Sequence, residues 1–197
     1  MNYLAHIHLA HVTKTSMLGN FFGDCVKGSD LSHLNEEHQL GVKLHRKIDS
    51  FTDTHSEVIA LRELFPKSIR RMSGIVIDVY FDHLLCVYWS RFTESDLDRL
   101  LAYFYTEVQQ HPKGISERFQ QVRQGLLDYR WLSDYREASN CRRSFVQIEK
   151  RLNNRILFAD KATAFIDKHE QEIRSRFLLF YPELIDFSHV KAAELQL

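Results

Sequence analysis

The side chains best suited to chemistry in this chain are carboxylates and imidazoles set into stretches otherwise apolar enough to be buried. In GIVIDVYFDHLLCVY, residues 74–88, only Asp78, Asp82 and His83 among the residues from Ile75 to Tyr88 are neither apolar nor aromatic. An ionised carboxylate is costly to bury without a partner, so the stretch requires a cation, a hydrogen-bond network or an opening to water. Asp78 and Asp82 are four apart, which on a helix stacks them one turn above each other on one face. Two carboxylates so placed repel unless a proton or cation intervenes, and a divalent metal relieves both the repulsion and the burial cost. His83 points about 100° around the helix from Asp82. Ligand, proton-donor and substrate-contact roles are all open to it.

A second segment, VKLHRKIDSFTD, puts His45, Asp49 and Asp53 on one helical face beside an apolar row of Leu44, Ile48 and Phe51. A His and an Asp at i and i+4 form a two-ligand arm of the kind helical metal enzymes use. Arg46 and Lys47 lie next to it, and the Arg46 guanidinium suits a phosphate oxygen pair. In LGNFFGDCVKG, Asp24 is flanked by small residues and followed by Gly28, a helix-stop signal. The N-terminal MNYLAHIHLAH supplies His6, His8 and His11. As a helix it would group His8 and His11 with Leu4 and turn His6 elsewhere; as a strand it would group His6 with His8. Each pattern alone has a bland counterpart, an ordinary salt bridge or cap. Their coincidence in apolar surroundings favours a metal site of oxygen ligands with one or two imidazoles, suited to manganese or magnesium, and to iron, over a structural cysteine zinc site.

The elements that must hold these residues are helices. Seven glycines and three prolines punctuate the chain, and apolar residues recur at intervals of three and four. The pattern predicts helices over about 2–12, 17–27, 36–53, 56–65, 68–91, 94–110, 115–136, 139–154 and 156–181, with breaks at Pro66, Pro112 and Pro182. The tail beyond Pro182 reads as a short helix or a frayed end. The expectation is one all-α domain spanning 1–197, a compact multi-helix bundle.

With 44% hydrophobic and 26% charged residues, the composition is that of an ordinary globular protein, and no window approaches a membrane span. Lysine plus arginine equal aspartate plus glutamate at 26 each, which argues against a general nucleic-acid binder. Three scattered cysteines and no secretory signal point to the cytoplasm. Two basic clusters stand out locally: Arg62, Lys67, Arg70 and Arg71, and Arg142, Arg143, Lys150, Arg151 and Arg155.

Taken in order and spacing, NYLAHIHLAH, LGNFFGDCVKG, VKLHRKIDSFTD and VIDVYFDHLL, with RFLLFYPEL near the end, resemble the acyl carrier protein phosphodiesterase (acyl carrier protein hydrolyase) family. The resemblance implies an HD-domain-like phosphohydrolase that removes the phosphopantetheine arm from holo-acyl carrier protein, with a divalent metal, typically manganese. The usual HD pair is His-Asp, whereas this chain reads Asp82-His83. Carried onto these residues, Asp24, His45, Asp49, Asp78 and Asp82 would hold metal, which polarises the phosphoryl oxygen and activates water. His83, or His6 or His8, would serve as the acid, and Arg46 would steady the phosphate. Carrier proteins of this kind are acidic, so Arg62, Lys67, Arg70 and Arg71 would steer docking. The alternatives are an HD-like hydrolase of a nucleotide or other small phosphate ester, and a non-catalytic helical binding module.

Overall fold

The computed structural model describes residues 1–111 and 115–197. In chain order its helices are α1 (Tyr3–Val12), α2 (Met17–Phe22), α3 (Glu36–Thr54), α4 (Ser56–Leu64), α5 (Ser73–Val87), α6 (Trp89–Phe92), α7 (Leu97–Gln110), α8 (Glu117–Tyr129), α9 (Ala138–Arg151) and α10 (Ala159–Leu195). Two 3-10 turns, Arg70–Met72 and Trp131–Arg136, precede α5 and α9. Among the described residues there is no strand, so the expected all-α class holds. No helix among them is long and apolar enough to cross a membrane.

Helix α1 sits in the middle. Every residue from Leu4 to Ala10 is buried, including both histidines between them, which is why the apolar residues of NYLAHIHLAH surround the helix rather than line one face. Helices α2 and α3 pack against it and against each other through two glycines. A Cβ on Gly41 would lie 2.5 Å from the backbone carbon of Gly19, and one on Gly19 would lie 2.8 Å from the His38 Cα. Only bare backbone permits this approach, which carries the α3 side chains up to α1 and α2. Local signals fix the ends of both helices. Ser16 Oγ accepts from Gly19 N at 3.0 Å to start α2, and Asn35 Oδ1 accepts from His38 N at 2.8 Å to start α3, with Glu36 and Glu37 in its first turn.

The expected 68–91 helix is divided into the 3-10 turn, α5 and α6, and the expected 115–136 helix ends where Arg130 takes φ 47°. Pro112 lies outside the described residues. The expected break at Pro182 does not occur, and α10 continues to Leu195. Proline removes one backbone donor, and here the ring is exposed while Tyr181, Leu184, Ser188 and Ala192 on the same helix are buried. Their packing outweighs the missing bond. The departure from helical backbone in α10 falls instead at His169, with φ −115° and ψ 16°.

Candidate metal centre

Three of the sequence candidates converge. His45 Nε2 lies 3.1 Å from Asp49 Oδ2, and His6 Nε2 lies 3.1 Å from Asp49 Oδ1. The imidazoles of His6 and His45 stack with centroids 3.8 Å apart. One ligand atom from each of the three residues falls within 4.8 Å of the others, the one such group of histidine, cysteine and acidic side chains among the described residues. Helix α1 supplies His6 and α3 supplies the i, i+4 pair, and Gly23, just beyond α2, leaves the space that the His45 ring fills, since a Cβ there would overlap that ring.

The electrostatics suit a cation. Burial pushes the His6 pKa down to about 4, with His45 adding to the effect, so its ring is neutral and able to offer a lone pair. Burial alone would raise Asp49, but the neighbouring imidazole of His45 and the Met1 ammonium outweigh it and hold this carboxyl far below its usual range. The Met1 ammonium stands 3.2 Å from Asp49 and 3.4 Å from Asp78, so both carboxylates face one position that favours positive charge. Burial would depress that amine, yet Asp78 and Asp49 raise it to about 10. Asp78 itself is raised, chiefly by burial. Two imidazole nitrogens and the Asp49 carboxylate form a mixed donor set that fits a divalent ion.

Asp82 has other partners. Fully buried, it accepts from Leu4 N at 2.9 Å and Ala5 N at 3.0 Å, capping the first turn of α1. Burial raises its pKa to about 7 against the opposing pull of those two bonds. His83 donates Nδ1–H to the Tyr135 carbonyl at 2.8 Å, and Tyr135 Oη accepts from Asn2 at 2.7 Å. His8 Nδ1 meets the Tyr181 hydroxyl at 2.9 Å, and burial lowers its pKa to about 3. The helical alternative for the N-terminal segment is the one found, with His6 and His8 turned to different neighbours. Asp24 is half-buried just beyond α2 and outside the three-residue group. Asp53 is exposed and pairs with Arg62 at 2.6 Å. Arg46, half-buried beside His45, donates to the Val26 carbonyl at 3.2 Å. Arg70 donates to the Phe65 and Glu63 carbonyls, whereas Lys67 and Arg71 are exposed and have no ion pair among the described residues. Asn20 was not a sequence candidate, although its motif was. A fully buried amide in the apolar run MLGNFF is the signal that marks it, and its Oδ1 lies 3.0 Å from His6 Nδ1.

The chain is similar to known proteins over nearly its whole length. A family model described as acyl carrier protein phosphodiesterase matches residues 1–184. Relatives named acyl carrier protein phosphodiesterase include one from Yersinia pestis, 33% identical over 190 residues covering 94% of this chain and 96% of the relative. Another, from Klebsiella pneumoniae subsp. pneumoniae, is 31% identical over 192 residues, covering 97% and 99%. A third, from Photorhabdus laumondii, is 29% identical over 187 residues, covering 94% of each. No solved structure gives a significant match. With the matched span enclosing every residue of the candidate centre, the chain belongs to the acyl carrier protein phosphodiesterase family.

Proposed function

We propose that this protein hydrolyses the phosphodiester joining 4′-phosphopantetheine to the serine of holo-acyl carrier protein, releasing apo-acyl carrier protein, and that it does so with a divalent cation, manganese by preference. The observation that carries the reading is the convergence of His6, His45 and Asp49 within one ligand-sized space inside the span matched by the family. These three residues would hold the ion. When bound there, it supplies Lewis acidity toward a phosphoryl oxygen and lowers the pKa of water. The mixed imidazole and carboxylate donors on paired helices also support kinship with the HD phosphohydrolases.

The chain's own groups do the remaining work. Asp78 faces the same cation-favouring position as Asp49, where it would take a proton from the attacking water and return it to the serine oxygen as the P–O bond breaks. Arg46, anchored at one nitrogen by the Val26 carbonyl, would offer its remaining N–H groups to non-bridging phosphate oxygens. The charge of Arg62 acts on Asp78, which supports a reading in which the basic cluster of Arg62, Lys67, Arg70 and Arg71 steers an acidic carrier toward the centre. The test is direct: the metal-stripped protein is given manganese and holo-acyl carrier protein, and the carrier is weighed by mass spectrometry. Loss of the phosphopantetheine mass, dependent on manganese and absent in Asp49→Ala, is expected. An intact holo-carrier after prolonged incubation with the loaded protein would end the proposal.

A further inference from the structure

The His6 ring is flanked on both sides by atoms that accept hydrogen bonds. Nδ1 lies 3.0 Å from Asn20 Oδ1, and Nε2 lies 3.1 Å from Asp49 Oδ1. A neutral imidazole has one N–H to give, and neither an amide oxygen nor an ionised carboxylate has any. With Nδ1–H donated to Asn20, the Nε2 lone pair faces a carboxylate oxygen with no proton between them. That contact becomes favourable when a cation joins it, and His45 Nε2 with the second Asp49 oxygen completes the donors around such an ion. Turning the Asn20 amide over would reverse the logic: Nδ2 would donate to Nδ1, the ring proton would move to Nε2, and Nε2–H would close on Asp49. No lone pair would then be left for an ion.

Burial gives the amide its authority. Asn20 is 0% exposed, so water does not replace it at Nδ1, and in the orientation found its Nδ2 is buried without a partner. The neighbouring Gly19 is packed on the α3 backbone, which fixes where the Asn20 side chain starts. Turned over, the amide would leave its oxygen in that same partnerless position, so the orphaned site gives it no incentive to flip.

We infer that Asn20 is a positioning residue: by accepting from His6 Nδ1–H it selects the tautomer whose Nε2 lone pair is offered to the divalent cation. The inference rests on the metal-dependent reading above, and it assigns the role to a residue that touches neither ion nor substrate. Partners of this kind are generally worth about 10- to 100-fold in metal affinity.

The test uses the full chain, stripped with chelator and titrated with Mn2+ while the free ion is followed by electron paramagnetic resonance. Asn20→Leu is expected to weaken Mn2+ binding about 10- to 100-fold, whereas Asn20→Asp, which keeps an oxygen at Nδ1, is expected to bind at least as tightly as wild type. In wild type loaded with diamagnetic Zn2+, the ring nitrogen shifts of His6 are expected to show the proton on Nδ1. Wild-type affinity in Asn20→Leu, with binding still abolished by Asp49→Ala, would overturn the inference and leave the metal reading standing. So would a His6 proton on Nε2 in the loaded wild type, a result that needs no variant to fold. Failure of wild type to bind Mn2+ at all would remove the metal reading and this inference with it.

Discussion

Replacing Asp82 by asparagine separates a structural cap from a metal ligand, and the expected result depends on pH in a way that can be worked from the structure. Asp82 is fully buried and accepts the Leu4 and Ala5 backbone N–H groups, one on each oxygen. Asparagine keeps one acceptor and sets an NH2 against the other donor, so one buried N–H loses its partner at a cost of about 1–3 kcal/mol. Asp82→Ala orphans both and should cost about twice that. Ionisation then modifies the comparison. The carboxyl titrates near 3.8 in the unfolded chain and about 7 in the fold, where burial favours the neutral form.

The native state therefore binds more protons than the unfolded state between those two values, and wild-type stability falls as pH rises through that window. A raised pKa of this size corresponds to about 4 kcal/mol between pH 3 and pH 8. The asparagine amide does not titrate. The destabilisation caused by Asp82→Asn should thus be greatest below pH 4 and shrink by that order toward pH 8, even to the point of reversal. Urea denaturation of both proteins across pH 3–8 measures the difference directly, and subtraction cancels the other titrating groups. A difference flat with pH would refute the buried-carboxyl argument. Loss of Mn2+ stoichiometry in an Asp82→Asn protein whose His6 ring nitrogen shifts match those of wild type, so that α1 has not moved, would refute the separation of Asp82 from the metal donors.

His8 should produce the opposite slope: its pKa falls from 6.5 to about 3 on burial, so its contribution is complete above pH 6.5 and declines as pH falls toward 3, by about 2 kcal/mol at pH 5. His8→Gln should flatten the acid limb of the wild-type stability profile, and an unchanged limb would show that His8 does not govern it. Gly41→Ala places a methyl 2.5 Å from the Gly19 backbone and should cost about 1–3 kcal/mol in urea melts while weakening Mn2+ binding, because α2 and α3 move apart; a change below about 0.5 kcal/mol would contradict the close-packing argument. Lys67→Glu with Arg71→Glu, both exposed, should leave stability within about 0.5 kcal/mol and raise KM for holo-acyl carrier protein while removing its salt dependence. An unaltered KM would place docking elsewhere.

What could be read beforehand follows the range of each interaction. The helices were legible because apolar periodicity is local, and so was the His45–Asp49 arm, whose two members share one turn of α3. Pro182 misled because a local breaker was weighed without the packing of Tyr181, Leu184 and Ser188 that carries α10 past it. His6 and Asn20 belong to separate helices, and only the second, α2, is held against α3 by two glycines that look like turn formers in the sequence. No spacing rule links residues 6, 20 and 45.

Asp78 and Asp82 show the same limit most sharply. Four-residue spacing places them on one face of α5, as expected, but a shared face does not imply a shared partner. The start of α1 lies along that face, so Asp78 meets the Met1 ammonium at 3.4 Å while Asp82, one turn on, meets the amides of Leu4 and Ala5. The first carboxylate is left beside Asp49, where a positive charge is favoured, and the second is consumed in holding the helix that carries His6. Both burial problems posed by the sequence are therefore solved by α1, one with a cation and one with backbone donors. The solution also couples them, because whatever displaces the first turn of α1 from Asp82 displaces His6 from Asp49.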